Sequence, residues 1–257
     1  MKDGPKDECM VYAKNGVVDL GKLAAGGALV DAFRPYSADL APPPNALNVD
    51  FDPDAECPRF KSFLQEVFPM QGDKAELLMK FAGYTLLRHC GYGRAAVLLG
   101  SGANGKSTFV NTLFHILGRP NTLELHINDL AVEFNIPLLQ HKLLATIDDL
   151  SMMKPSACSA LKKCIDGELV TARVKYGGPI SFFPTVKFIM MLNQSPMLPA
   201  AQFQSLLKRI LIIEFPHCFT ASYRDPDLLG KLKAEAPGIF LLMLGGAIAL
   251  MKDGGFE

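Results

Sequence analysis

The sequence predicts an α/β fold, a parallel sheet flanked by helices around a phosphate-binding loop, and three observations carry that expectation. Residues Gly100-Ser101-Gly102-Ala103-Asn104-Gly105-Lys106-Ser107-Thr108 satisfy the pattern G-x-x-x-x-G-K-[ST], with the apolar run Ala95-Ala96-Val97-Leu98-Leu99 directly before them. Beyond the loop, short apolar runs alternate with helical and loop segments as far as Phe215, the alternation of a helix-covered parallel sheet. Between Glu168 and Phe183 the order changes to strand-turn-strand, which reads as a hairpin inserted into the sheet domain.

In chain order, residues 1–48 are short apolar pieces broken by Asn15-Gly16, Gly26-Gly27 and Pro42-Pro43-Pro44, a loop-rich lead-in with a small hairpin around Asn15 to Leu20. Residues 49–93 read as a small helical domain. Apolar residues recur there at helical spacing from Pro58 to Phe68 and again from Asp73 to Cys90. Residues 94–257 form the nucleotide domain. Its expected elements are the strand before the loop, a helix from Ser107 to Leu117, strands at Thr122–Ile127 and Leu143–Asp148, a helix at Ser156–Asp166, and strands at Val186–Leu192 and Ile210–Phe215. Gly238 to Met251 is apolar, but it contains three glycines and is too short to span a bilayer, so it reads as a buried helix.

The chain has 257 residues, is 49% hydrophobic and carries no formal net charge. That is enough apolar material for a full core, and it leaves no overall attraction to nucleic acid, so any such binding must be local. The N-terminus lacks the apolar core of a signal peptide. Six cysteines are scattered without C-x-x-C pairs, the usage expected of reduced thiols in a cytoplasmic protein.

The loop chemistry follows from residue types. Gly100, Gly102, Ala103, Asn104 and Gly105 let backbone amides curl around phosphates on an exposed loop, Lys106 places a cation on them, and Ser107 and Thr108 open the helix whose positive dipole end faces the anion. The Ser107 hydroxyl is a Mg²⁺ ligand in this pattern, so ATP and Mg²⁺ are the expected cofactors. Leu143-Leu144-Ala145-Thr146-Ile147-Asp148-Asp149 is an apolar strand ending in two carboxylates. Asp148 is suited to the Mg²⁺ shell, and one of the pair to orienting or deprotonating water. Phe188 to Leu192 delivers the amide of Asn193 to the same sheet edge, where it can sense a γ-phosphate without adding negative charge. Lys208-Arg209 opens the apolar strand from Ile210.

This ordered set resembles the helicase half of phage and plasmid primase-helicases, superfamily 3 of the AAA+ ATPases. Phe51-Asp52-Pro53-Asp54-Ala55-Glu56-Cys57-Pro58-Arg59-Phe60 and the helices after it are similar to the small helical domain preceding the ATPase in poxvirus-type and phage primase-helicases. The resemblance spans roughly residues 50 to 250. It departs at Lys208, where many relatives carry arginine, and at Asp149, where many carry glutamate. The resemblance implies an AAA+ type P-loop ATPase acting as a ring-forming DNA helicase, a hexamer on single-stranded DNA, in a phage, plasmid or integrated element. A primase-polymerase domain or protein is the implied partner, and no membrane is involved. It also implies catalytic roles for Lys106, Asp148, Asp149 and Asn193, with Arg209 as a finger reaching the neighbouring subunit's γ-phosphate.

DNA contact is expected at the hairpin. From Lys154 to Lys187 there are six Lys or Arg against two acids, whereas residues 1–95 hold 11 basic and 13 acidic residues. Arg173 and Lys175 supply cations and Tyr176 a stacking surface suited to single strands. A small-molecule or nucleoside kinase and a non-catalytic ATP-binding loader attached to a primase are the rival readings.

Overall fold

Residues 8–147, 149–150, 152–194, 200–220 and 225–256 are described by the computed structural model. Near the start, β1 (Met10–Tyr12) and β2 (Gly16–Asp19) pair antiparallel. α1 (Leu20–Ala24) and α2 (Leu29–Ala32) follow, and β3 (Phe33–Pro35) returns to pair with β2. The lead-in therefore carries a three-stranded sheet, and its hairpin turns earlier than the Asn15 to Leu20 reading, with Met10 opposite Asp19. Asn15 fastens it by donating to the Phe51 carbonyl and accepting from the Phe51 N–H, at 2.9 and 2.8 Å.

α3 (Pro58–Val67) buries Phe60, Phe63 and Val67 along one face. No side chain of its own caps it. Instead the Glu235 carboxylate accepts from the Arg59 and Phe60 N–H groups at 2.9 and 2.8 Å, meeting the positive helix end with a negative charge. α4 (Gly72–Tyr84) stops short of the helix expected to reach Cys90. The Thr85 hydroxyl takes the Ala82 carbonyl at 2.6 Å, and the Leu87 carbonyl turns to the Lys187 ammonium instead of continuing a helix.

The region carrying the parallel sheet follows as β4 (Ala95–Leu99), α5 (Lys106–Leu117), β5 (Thr122–Leu125), β6 (Leu144–Ile147), α6 (Pro155–Ile165), β7 (Val170–Arg173), β8 (Pro179–Phe182), β9 (Lys187–Leu192), α7 (Ala200–Leu207), β10 (Ile210–Glu214), α8 (Leu228–Ala234) and α9 (Ala236–Asp253). Five strands form one parallel sheet in the order β10-β4-β9-β6-β5. β4, β6 and β9 are almost wholly buried, which explains their unbroken apolar runs. The order seats β4, which leads into the phosphate loop, between β9 and β10.

α9 is the one helix among the described residues long and apolar enough to cross a bilayer, and half of it is buried inside the fold. It packs on α4 at backbone distance: a Cβ on Gly83 would collide with the backbone of Met243 and Ala247, and one on Gly246 with that of Met79. Gly246 in this apolar run is thus a packing requirement, as is Gly238, where a Cβ would collide with the Glu56 backbone. One core joins the N-terminal sheet, α3, α4, α5 and α9 to the sheet's near face, and a second lies under α6 on the other face.

Lys187 opens β9 with 1% exposure, its ammonium on the Leu87 and Thr185 carbonyls and 4.9 Å from the Tyr84 ring centroid. Burial pushes its pKa down to about 8. Below that pH the lysine is charged both folded and unfolded, so its burial costs stability in full. Between about 8 and 10.5 the unfolded chain binds more protons, and this contribution to stability rises with pH, by up to about 3 kcal/mol. Relative to the parent protein, Lys187→Met is therefore expected to be most favoured at pH 7 and less so at pH 10 in urea titrations. A difference independent of pH would refute the buried charge.

Candidate nucleotide site

The phosphate loop leaves the carboxyl end of β4 and enters α5 through Gly105, whose φ of +91° is open to glycine at no cost. A Cβ there would also press on the Phe63 ring at 2.9 Å, so α3 lies directly against the loop. α5 then buries Phe109, Val110, Leu113, Ile116 and Leu117, which anchors its N-terminus beneath the loop.

Lys106 differs from the exposed-loop expectation. It is 5% exposed, and its ammonium donates to the Gly100 carbonyl at 2.6 Å and to Asn104 Oδ1 at 3.1 Å. Desolvation holds its pKa below the ordinary lysine value. Both acceptors are neutral, so among the described residues this is a buried cation facing no carboxylate, an arrangement that suits an arriving anion. Asn104 is itself buried, and its amide donates to the Phe215 carbonyl at 3.4 Å while its oxygen holds the lysine. Phe215 N–H donates to Leu99 at 2.7 Å and Phe219 N–H to Ala103 at 2.9 Å, so the chain after β10 braces the loop.

A cavity of about 390 Å³ opens over the loop, lined by Gly102 through Thr108 together with Met191 and Asn193. Parallel register accounts for Asn193: Leu99 pairs with Leu192, so the residue after β9 stands beside Gly100, whose N–H bonds the Leu192 carbonyl at 3.0 Å. β6 ends at Ile147, level with Met190. Asp149 is exposed just past that end, and Asp148 lies outside the described residues.

A second cavity of about 430 Å³ shares Ala103, Gly105 and Thr108 with the first. Its other walls are Arg59, Phe63 and Glu66 of α3, Phe219, and the start of α8. Sequence reasoning assigns none of these residues to a site, and Phe63 signals only a helix face.

Arg209 stands at the opposite end of the sheet. Its carbonyl accepts from Ala95 N–H at 2.8 Å, which places it level with the start of β4. The length of that strand, about 17 Å, separates it from the loop of its own chain. Its guanidinium grips Asp166 through Nε at 2.7 and 2.9 Å and through Nη2 at 2.6 Å, with Nη1 on the Ser205 carbonyl at 2.9 Å. These bonds raise its pKa further. Asp166 caps α6, and four residues later β7 begins.

β7 and β8 pair antiparallel, from Val170–Phe182 to Arg173–Pro179. At the turn Tyr176 adopts φ +64° and is 97% exposed, with Lys175 Nζ 5.4 Å from its ring centroid. Arg173 meets Glu133 at 3.4 Å between exposed side chains, a weak pair that leaves it accessible. One member of the expected basic patch is corrected. Lys187 faces the core and contributes nothing to the surface.

Residues 98–209 match the family of unknown function DUF5906, a span that runs from the strand before the loop to Arg209. No curated protein matches the chain. Among solved structures, the A-form apo structure of the NrS-1 C-terminal region superposes with a TM-score of 0.62 at 17% identity, covering 81% of this chain and 51% of that one. A further apo structure of the region, residues 305–718, gives 0.61 at 19% identity, covering 80% and 49%. The chain thus spans about half the length of these structures and shares their fold, a mixed α/β P-loop fold on a five-stranded parallel sheet.

Proposed function

We propose that the chain is the ATP-driven motor of a ring-forming DNA helicase of the superfamily 3 type, the helicase half of a primase-helicase of a phage, plasmid or integrated element. One observation carries this reading. The phosphate loop and Asn193 occupy the carboxyl end of the sheet, while Arg209 and the exposed hairpin occupy its amino end. A finger that cannot reach its own loop needs a neighbour's, and a head-to-tail ring supplies one.

The buried Lys106 ammonium, held by the neutral oxygens of Gly100 and Asn104, fits a triphosphate. On binding, it exchanges Gly100 and Asn104 for phosphate oxygens, and the loop amides cradle the chain. Ser107 and Asp148 would hold Mg²⁺, which would supply positive charge to the phosphates. Asn193 orients the attacking water, an acid of the Asp148-Asp149 pair accepts its proton, and the neighbour's Arg209 stabilises the charge that develops. Lys175 contacts the backbone of a single strand and Tyr176 stacks on a base.

ATPase rate per subunit, measured against protein concentration with and without single-stranded DNA, tests the reading. Activity is expected to rise on both axes, whereas a kinase or a passive loader has no need of DNA for turnover. Lys175→Ala should weaken single-strand binding and lower the log-log salt slope by about 0.7 for each phosphate that is no longer neutralised. An unaltered slope would leave Lys175 a plain surface residue.

A further inference from the structure

The second cavity opens beside the phosphate loop and shares three of its residues, so a ligand whose phosphates lie on the loop has its other end there. At about 430 Å³ it lies in the range of small-ligand pockets. Two of its walls are aromatic: Phe63, pinned against Gly105, and the half-buried Phe219, whose own backbone is bonded to Ala103. Among the described residues, its charged side chains are engaged with other protein groups. Glu66 is paired with Arg59 at 2.9 and 3.2 Å, and Asp225 with Lys231 at 2.7 Å and with the Asp227 N–H at 3.1 Å.

That combination decides how a base is read. Sites that hydrogen-bond a ligand group reject analogues lacking it by about 10⁴-fold or more, whereas apolar pockets discriminate by about 10- to 200-fold. We infer that this cavity holds the nucleobase and selects it by aromatic stacking on Phe219, over a floor closed by the buried Phe63, so that purine nucleoside triphosphates are preferred with little choice between adenine and guanine. The inference rests on the nucleotide-site reading above and adds the base selectivity of that site.

The test is equilibrium binding of the four nucleoside triphosphates and of inorganic tripolyphosphate, by displacement of a fluorescent nucleotide from the full chain. ATP and GTP are expected to bind within about fivefold of each other, and CTP and UTP about tenfold more weakly, as loss of part of the stacking surface implies. Phe219→Ala should weaken both purine nucleotides by about tenfold and level the four bases, leaving tripolyphosphate binding as in the parent. Phe219→Tyr should restore the purine preference, which separates stacking from mere loss of fold. A hundredfold preference for ATP over GTP, or equal affinity for all four bases in the parent protein, overturns the base pocket while tripolyphosphate binding upholds the phosphate site. Failure of both nucleotides and tripolyphosphate to bind overturns the nucleotide-site reading and this inference with it.

Discussion

Lys106→Ala is expected to lose ATP turnover by about a thousandfold, the scale of removing one charged donor from developing transition-state charge. Its fold should survive. The ammonium is buried on two neutral oxygens with its pKa depressed, so it is a group the native state bears at a cost. Removing it strips a hydrogen bond from the Gly100 carbonyl and from Asn104, but also relieves the desolvated charge. The expected change in unfolding free energy is within about 1 kcal/mol. Asn104 keeps its bond to the Phe215 carbonyl, so the loop stays braced against β10. Steady-state hydrolysis and urea unfolding on the same preparation settle the matter. Turnover near the parental rate would remove the nucleotide-site assignment, and loss of both turnover and stability would show that the lysine is structural.

The same local geometry explains what is legible in the sequence. Strands β4 and β9 are legible because buried parallel strands need unbroken apolar runs, and Ala95–Leu99 and Phe188–Leu192 are such runs, while β10 is legible from Ile210–Ile213 although it is an edge strand with Ile212 exposed. Nothing local dictates their order, since β4 pairs with strands far along the chain on both sides. The three-stranded sheet at the start is not legible, because strands of three or four residues carry too little alternation to detect. α7 and α8 are single short helices of eight and seven residues whose pattern is lost among neighbouring loops. At the site, one contiguous motif specifies the loop from Gly100 to Thr108, and a strand end specifies the neighbourhood of Asn193. The second cavity has no such signature. Its walls come from α3, the loop and the chain after β10, and only the close approach at Gly105 brings them together. Asp166 reads as the end of a helix, while its partner Arg209 lies 43 residues further on.

Arg209→Ala is expected to bind ATP with near-parental affinity and to hydrolyse it about a thousandfold or more slowly, because an arginine finger acts on charge that develops only in the transition state. The placement of Arg209 makes the geometry of rescue specific. It stands at the amino end of the sheet, gripped by Asp166 on the segment that leads into the hairpin, with the length of β4 between it and its own loop. A subunit lacking this arginine keeps an intact loop, and a Lys106→Ala subunit keeps an intact arginine. Mixed in equal amounts and shown to co-assemble, the two inactive proteins should recover part of the parental ATPase wherever an Arg209→Ala loop faces a Lys106→Ala neighbour. An arginine serving its own loop gives no active pairing in any arrangement, so co-assembled mixtures without recovered activity would remove both the finger and the site between subunits. Arg209→Lys distinguishes the finger from the Asp166 pair. A lysine can restore a single ion pair with Asp166, but it lacks the planar fork that meets phosphate oxygens two at a time. Its stability should therefore approach the parent's while its turnover stays close to that of Arg209→Ala, and parental turnover in Arg209→Lys would reduce Arg209 to a tether for the end of α6.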